Sequence, residues 1–256
     1  MEILRQGARE LGLSLGPRHL EQFEIYYREL TTWNERFNLT AITGYQEVQR
    51  RHFLDSLCCL LAFPQQGLGD TIPDTVPVQR GGLGLRCVDI GTGAGFPGLP
   101  LKLLLPDMRL TLIESVGKKV TFLQHIVREM GLSGVEIIHG RAEEIARQEA
   151  HREAYDVVLA RAVAHLAVLA EYCLPFCRLG GRLIAPKGED AITETVDAQG
   201  ALTLLGGRVV AVKPLTLAEW RSDHYLVVID KIGPTPERYP RRTGIPAKRP
   251  LTQPDS

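Results

Sequence analysis

Apolar residues recur at steps of three and four along residues 17–37, at Leu20, Phe23, Tyr27, Leu30, Trp33 and Phe37. That spacing places them on one face of an amphipathic helix, and Pro17 suits its first turn, where a missing N–H is not needed. Residues 45–62 continue in helical style, with Val48, His52, Leu57 and Leu60 or Leu61 on one side. Between residues 64 and 82 the periodicity gives way to a Gly- and Pro-rich stretch that reads as a loop or linker. From residue 85 the pattern alternates. Short apolar runs at 85–90, 109–114, 135–139, 155–160, 180–186, 208–213 and 224–231 read as strands. Residues 97–105, 117–131, 142–150, 164–177 and 189–205 read as helices between them. Such alternation predicts a doubly wound α/β sheet. The last two strands are joined by too few residues for a helix, so the final strand is expected to run antiparallel. The chain divides into a helical N-terminal extension with its linker (1–84), a Rossmann-like domain (85–232) and a Pro-rich C-terminal tail (233–256).

The turn after the first strand carries the candidate chemistry. Leu85-Arg-Cys-Val-Asp-Ile90 is followed by Gly91-Thr-Gly-Ala-Gly-Phe-Pro-Gly98 and then by the helical Leu99-Pro-Leu-Lys-Leu-Leu-Leu105. Strand, glycine-rich turn and helix in that order form a nucleotide cradle. Asp89 stands just before the first glycine, and Pro97 and Pro100 remove N–H donors at the helix start. A pyrophosphate needs those donors and no nearby carboxylate. A cationic, phosphate-free cofactor tolerates both features, and S-adenosylmethionine is such a molecule. Seven strands, mostly parallel and ending in a reversed one, are also the layout of class I S-adenosylmethionine-dependent methyltransferases.

Further candidates fall at the ends of the later strands. Glu114 ends the second strand, where a carboxylate accepts hydrogen bonds from ribose hydroxyls; NAD enzymes use the same device. After the third strand, Ala142 offers a backbone N–H and Glu143 a carboxylate to an adenine, although Glu143 and Glu144 are equally good first-turn helix residues. The fourth strand ends in Arg161, facing the transferred methyl in this fold class. No Asn/Asp-Pro-Pro-aromatic turn for gripping an amine follows it, and neither Cys173 nor Cys177 sits as a covalent nucleophile would. Guanine N7 fits this absence, since its in-plane lone pair is unprotonated at neutral pH and needs no general base. Aligning N7, methyl and sulfur then contributes up to about 7–11 kcal/mol. Lys187, after the fifth strand, reads either as a contact for a phosphate or guanine O6 or as an ordinary surface lysine. His52 and Asp55 lie three residues apart on one helix face. A buried pair anchoring the helical part to the sheet is preferred over a place at the RNA entrance or the cofactor's methionine end.

Charge and composition narrow the class. Lys plus Arg equals Asp plus Glu, 30 against 30, so any polyanion contact must be local. Residues 237–249 supply a local +4, from Arg238, Arg241, Arg242, Lys248 and Arg249 against Glu237. The prolines of this tail argue against helix or strand within it. No apolar run is long enough for a membrane span, and the N-terminus lacks a signal-peptide layout. The five cysteines, Cys58, Cys59, Cys87, Cys173 and Cys177, are odd in number and form no CxxC, so buried free thiols and a cytoplasmic location are expected. No metal site is evident.

Four segments together carry a family resemblance. They are Asn38-Leu-Thr-Ala-Ile42, Arg51-His-Phe-Leu-Asp-Ser-Leu57, the turn from Asp89 to Pro100, and Arg241-Arg-Thr-Gly-Ile-Pro-Ala-Lys-Arg-Pro-Leu251. From about residue 20 onward the chain resembles the RsmG family (glucose-inhibited division protein B) of bacterial 16S rRNA guanine-N7 methyltransferases. The resemblance implies methylation of a guanosine N7 in small-subunit RNA near the decoding region. It places cofactor contacts at Gly91, Phe96, Ala142, Glu143 and Arg161, with Glu114 at the ribose. With Asp89 and Gly93 of the turn, these complete the candidate S-adenosylmethionine set. The partner is 16S rRNA or the small ribosomal subunit, and the protein is expected to be a monomer. The stretch around residues 64–83 is longer than the family pattern. The competing readings are a methyltransferase of another acceptor and a non-catalytic adenosine-binding module.

Overall fold

The computed structural model describes residues 1–64, 84–161, 164–217 and 220–251. The expected linker at 64–82 lies almost entirely outside these residues. The chain opens with α1 (Glu2–Glu10), which buries Leu4, Gly7 and Ala8. This helix is not among the expected elements, although Leu4, Ala8 and Leu11 are helically spaced. Helix α2 runs Pro17–Phe37, as the periodicity predicts, and ends on Asn38 in the left-handed conformation. Its buried stripe is Phe23, Tyr26 and Leu30. Tyr26, not Tyr27, is the tyrosine turned inward. Residues 45–62 are helical but not uniform: α3 (Tyr45–Val48), a π-helical turn (Gln49–Leu54), α4 (Asp55–Cys58) and a 3₁₀ turn (Cys59–Ala62) follow one another. Inserted π turns are frequent at functional sites, and this one carries Arg51 and His52.

The remaining elements are β1 (Arg86–Ile90), α5 (Gly98–Leu104), β2 (Arg109–Glu114), α6 (Gly117–Glu129), β3 (Val135–His139), α7 (Ala142–Ile145), β4 (Tyr155–Leu159), α8 (Leu166–Cys173), β5 (Cys177–Lys187), α9 (Ala191–Asp197), α10 (Gln199–Leu204), β6 (Gly207–Leu217), β7 (Trp220–Lys231) and α11 (Ile245–Lys248). The helix expected over 142–150 is a single turn, and the one expected over 189–205 is two helices meeting at Ala198. The strands form one seven-stranded sheet in the order β3-β2-β1-β4-β5-β7-β6. β1 to β5 are parallel, and β7 is antiparallel to both β5 and β6, as the short last connection predicts.

Alternate side chains of the strands feed two cores. On one face, Cys87, Leu110, Leu112, Val157, Leu159 and Val228 pack with Phe23, Leu30, Leu57, Leu99 and Phe122. On the other, Val88, Ile90, Val158, Leu183 and Ile229 pack with Leu169, Phe176 and Leu202. The N-terminal helices therefore complete one face of the sheet and share its core. All five cysteines are buried and free, and burial raises their thiol pKa values.

The tail departs from its expectation. Its prolines do not exclude helix, since α11 forms with a proline in its first turn, where no intrahelical N–H is needed. Nor is its charge all exposed. Arg241 forms a 2.6 Å ion pair with the fully buried Glu171. Arg152 donates to the carbonyls of Thr235 and Tyr239, at 2.8 and 2.9 Å, which binds the tail to the connection before β4.

Because Leu57 fills the core shared by the helices and the sheet, Leu57→Ala is expected to cost about 2–5 kcal/mol. Urea unfolding followed by tryptophan fluorescence and by circular dichroism checks this. One coincident, left-shifted transition is expected from the two probes.

Candidate active site

The carboxyl ends of the parallel strands converge on the glycine turn. Gly91 and Thr92 donate to the Ile113 carbonyl, at 2.9 and 3.2 Å, which seats the turn against the end of β2. Gly91 and Gly93 both have φ of +64°, a conformation that favours glycine. Gly95, at φ +99°, has a second constraint: a Cβ there would lie 2.5 Å from the Tyr26 hydroxyl and against Leu99. Tyr26 donates from α2 to the Ala94 carbonyl at 2.5 Å, so the N-terminal helices brace the turn directly. Tyr26 is not among the residues expected at the site. Its spacing from Phe23 and Leu30 was the available signal.

Asp89 lies beneath the turn with no exposed surface. Its Oδ2 accepts from the Thr92 hydroxyl at 2.7 Å and from the Gly98 N–H at 2.8 Å. Oδ1 has no hydrogen-bond partner, and burial raises the carboxyl to about 7 against the opposing effect of those bonds. A half-satisfied buried carboxylate favours a cationic ligand nearby, as a sulfonium and ammonium cofactor would be. Thr92, between the first two glycines, is a second residue the sequence analysis did not single out.

Glu114, at 5% exposure, uses both oxygens on backbone amides: Oε2 accepts from Gly93 at 2.9 Å and Oε1 from Val116 at 2.8 Å. Each carboxylate oxygen can accept a further bond, so ribose hydroxyls remain compatible with it. Ala142 and Glu143 open α7 beyond β3, and Gly140 donates to the Glu114 carbonyl at 3.1 Å, which brings this turn beside β2. Glu143 is nearly buried, and its Oε1 accepts the Gly244 N–H at 2.9 Å.

A second cluster surrounds Arg161, just past β4. The guanidinium donates to the Arg51 carbonyl at 2.9 Å, to Asp55 Oδ2 at 2.8 Å and to His52 Nδ1 at 3.1 Å. Because arginine cannot accept, His52 Nδ1 must be the acceptor, and its Nε2–H is donated to Thr40 Oγ1 at 2.9 Å. Burial and the Arg161 charge lower His52 to about 3, so it stays neutral. Burial alone would raise Asp55, but His224 and Arg161 hold it below the usual carboxylate range. Phe96 lies within this cluster. It stacks on His52 at 4.4 Å and on Tyr26 at 5.2 Å, with Arg161 over its ring at 5.2 Å. His52 and Asp55 do join the helical part to the sheet, but through Arg161 and not by pairing with each other.

Lys187 is not the ordinary surface lysine of the alternative reading. It is 10% exposed, donates to the Ala164 carbonyl at 2.8 Å and forms a 2.6 Å ion pair with Glu194. It still lines a cleft of about 290 Å³, with Arg51, His52, Asp55, Arg161 and His224. The sequence-predicted residues thus fall into two neighbouring groups. Asp89, Gly91, Gly93, Glu114, Ala142 and Glu143 lie at or just after the ends of β1 to β3, while Arg161 and Lys187 line the cleft at the ends of β4 and β5, with Phe96 packed against His52 and Arg161.

The Asp89 carboxyl binds its proton more tightly in the folded chain than in the unfolded one, where the pKa is 3.8. Stability from this group is therefore present at low pH and is lost as pH rises from about 4 to about 7. Asp89→Asn should remove that loss. Urea unfolding at pH 5 and pH 8 should show the variant gaining on the original chain by on the order of 2 kcal/mol at the higher pH.

Comparison with known proteins places this geometry in a family. The profile described as rRNA small subunit methyltransferase G matches residues 19–222. The ribosomal RNA small subunit methyltransferase G of Roseiflexus castenholzii is 51% identical over 253 residues, which is 98% of this chain and 100% of that protein. Its counterpart in Alkaliphilus metalliredigens is 45% identical over 249 residues, 97% of this chain and 98% of that one. A mutant of MtNAS in complex with S-adenosylmethionine shares the fold, with a TM-score of 0.50 at 16% identity over 84% of this chain and 76% of that one. The sheet order and its reversed strand are those of a class I methyltransferase, and the chain belongs to the rRNA small subunit methyltransferase G family.

Proposed function

We propose that this protein transfers the methyl group of S-adenosylmethionine to N7 of a guanosine in 16S rRNA, near the decoding region of the small ribosomal subunit. The observation that carries the reading is a juxtaposition. A glycine turn backed by a half-satisfied buried Asp89 lies beside a cleft in whose wall the His52 imidazole is committed at both nitrogens, with His224 close to Asp55. Such a cleft suits an acceptor that arrives with its lone pair free.

The cofactor supplies an electrophilic methyl on a sulfonium. Gly91 and Gly93 let the backbone approach it, and Asp89 offsets its positive charge from beneath the turn. Glu114 accepts from the ribose hydroxyls. Ala142 donates to an adenine ring nitrogen, and Glu143 accepts from the exocyclic amine. Arg161 lines the cleft with Phe96 against its guanidinium, and a guanine would be held there with N7 toward the methyl group. Attack by the N7 lone pair would displace sulfur with the carbon–sulfur electron pair, and such a transfer would ask no proton transfer of this chain's residues. Arg238, Arg242, Lys248 and Arg249 are exposed cations of the tail and meet RNA phosphates, whereas Arg241 is committed to Glu171. The N7 edge of a paired guanine lies in a deep, narrow groove, so the target base is unpaired or opened. In this reading the enzyme is a cytoplasmic monomer. No helix among the described residues is long and apolar enough to cross a membrane.

The assay is incubation with methyl-labelled S-adenosylmethionine and small subunits lacking base methylation, then strand cleavage at N7-methylguanosine. A single cut in 16S rRNA is expected. Cofactor binding without label on the RNA would move the assignment to another acceptor. Gly91→Val is expected to abolish cofactor binding by forcing a β-branched residue into φ of +64°. Calorimetric affinity equal to that of the original chain would remove the cofactor from this turn.

A further inference from the structure

We propose that the C-terminal tail is part of the cofactor pocket, with Gly244 acting as a positioning residue for Glu143. The inference rests on the reading above, in which Glu143 accepts the adenine amine. Helix α7, which carries Glu143, is only one turn long and cannot fix a side chain by itself. The tail supplies the missing support. Gly244 donates its N–H to Glu143 Oε1 at 2.9 Å, and Thr243 donates its hydroxyl to Glu144 Oε1 at 3.0 Å. Two consecutive tail residues thus hold two consecutive acids. With Oε1 fixed on Gly244, Oε2 is the oxygen presented to the adenine amine.

The tail is itself held firmly enough to do this. Glu171, fully buried in α8, accepts the Arg241 backbone N–H at 2.7 Å and its guanidinium at 2.6 Å. Tyr239 is 7% exposed and belongs to the core on that face of the sheet. Arg147 donates to the carbonyls of Arg238 and Pro240 from the segment just after α7. Gly244 caps α11 at φ +78°, and nothing lies within 4 Å of the position a Cβ would take. A β-branched residue there meets no clash, so its effect is confined to the backbone turn that aims the N–H.

The tail therefore serves two purposes at once. Arg242, Lys248 and Arg249 face outward within five residues of the amide that holds Glu143.

The test compares S-adenosylhomocysteine with its inosine counterpart, in which a carbonyl replaces the exocyclic amine. Both affinities are measured by calorimetry on the full chain, on Gly244→Val and on Glu143→Gln. The original chain should prefer the adenosine ligand. Gly244→Val should weaken that ligand about tenfold, the scale of one hydrogen bond to a charged group, and leave the inosine ligand little changed. Glu143→Gln should reduce the same preference. If Gly244→Val unfolds, Gly244→Ala replaces it, with the same ratio as readout. Equal losses for both ligands, or an unchanged ratio, would overturn the inference alone. An original chain that binds neither ligand would overturn the functional reading and this inference with it.

Discussion

Arg161 is where the two halves of the molecule meet. A guanidinium is planar, presents five donors and stays charged at any relevant pH, so each of its directions needs an acceptor. Here the acceptors are the Arg51 carbonyl, His52 and Asp55, all from the N-terminal helices. The arginine itself is fixed just beyond β4. A charge-assisted network across this seam therefore sets how the π turn lies against the strand ends. It also sets the wall of the cleft and the seat of Phe96. Withdrawing one member of such a buried pair leaves the other charge uncompensated, at about 3–5 kcal/mol. The seam is held by electrostatics at its mouth and by a shared apolar core below.

The three acids at the strand ends look alike in sequence and differ in the fold. Glu114 is satisfied by two amides, and Glu143 receives one amide from the tail. Asp89 is fully buried with one oxygen unpaired, so its charge is costly until a cation arrives. The site thus combines two settled hydrogen-bond acceptors with one acid that the fold leaves under-compensated. A cationic cofactor gains most from that last group.

Much of this architecture was legible in the chain. Short apolar runs located the strands and apolar steps of three and four located α2, because the strands are buried on both faces of the sheet and α2 on one. The glycine turn and the antiparallel last strand were equally plain. What was hidden depends on contacts between residues far apart in sequence. The sequence shows Arg161 at a strand end but not the three N-terminal residues it binds, more than a hundred positions earlier. Arg241 looks like surface charge until Glu171 is seen beneath it. Lys187 looks like a mouth lysine until Glu194 is found beside it. The π turn adds residues to a helix without disturbing its hydrophobic character, so periodicity alone passed over it.

The position of β7 has a consequence for how the protein is made. It is the last strand in sequence but lies between β5 and β6, and β6 joins the sheet only through it. During synthesis the chain emerges from its N-terminus, so β1 to β5 can assemble while the remainder is still being translated. β6 then waits without a partner until residues 220–231 have left the ribosome. The sheet closes late, and only after it closes does the tail have a surface on which to settle. A nascent chain arrested before β7 would carry an assembled parallel half-sheet with an open edge, a natural point of engagement for chaperones.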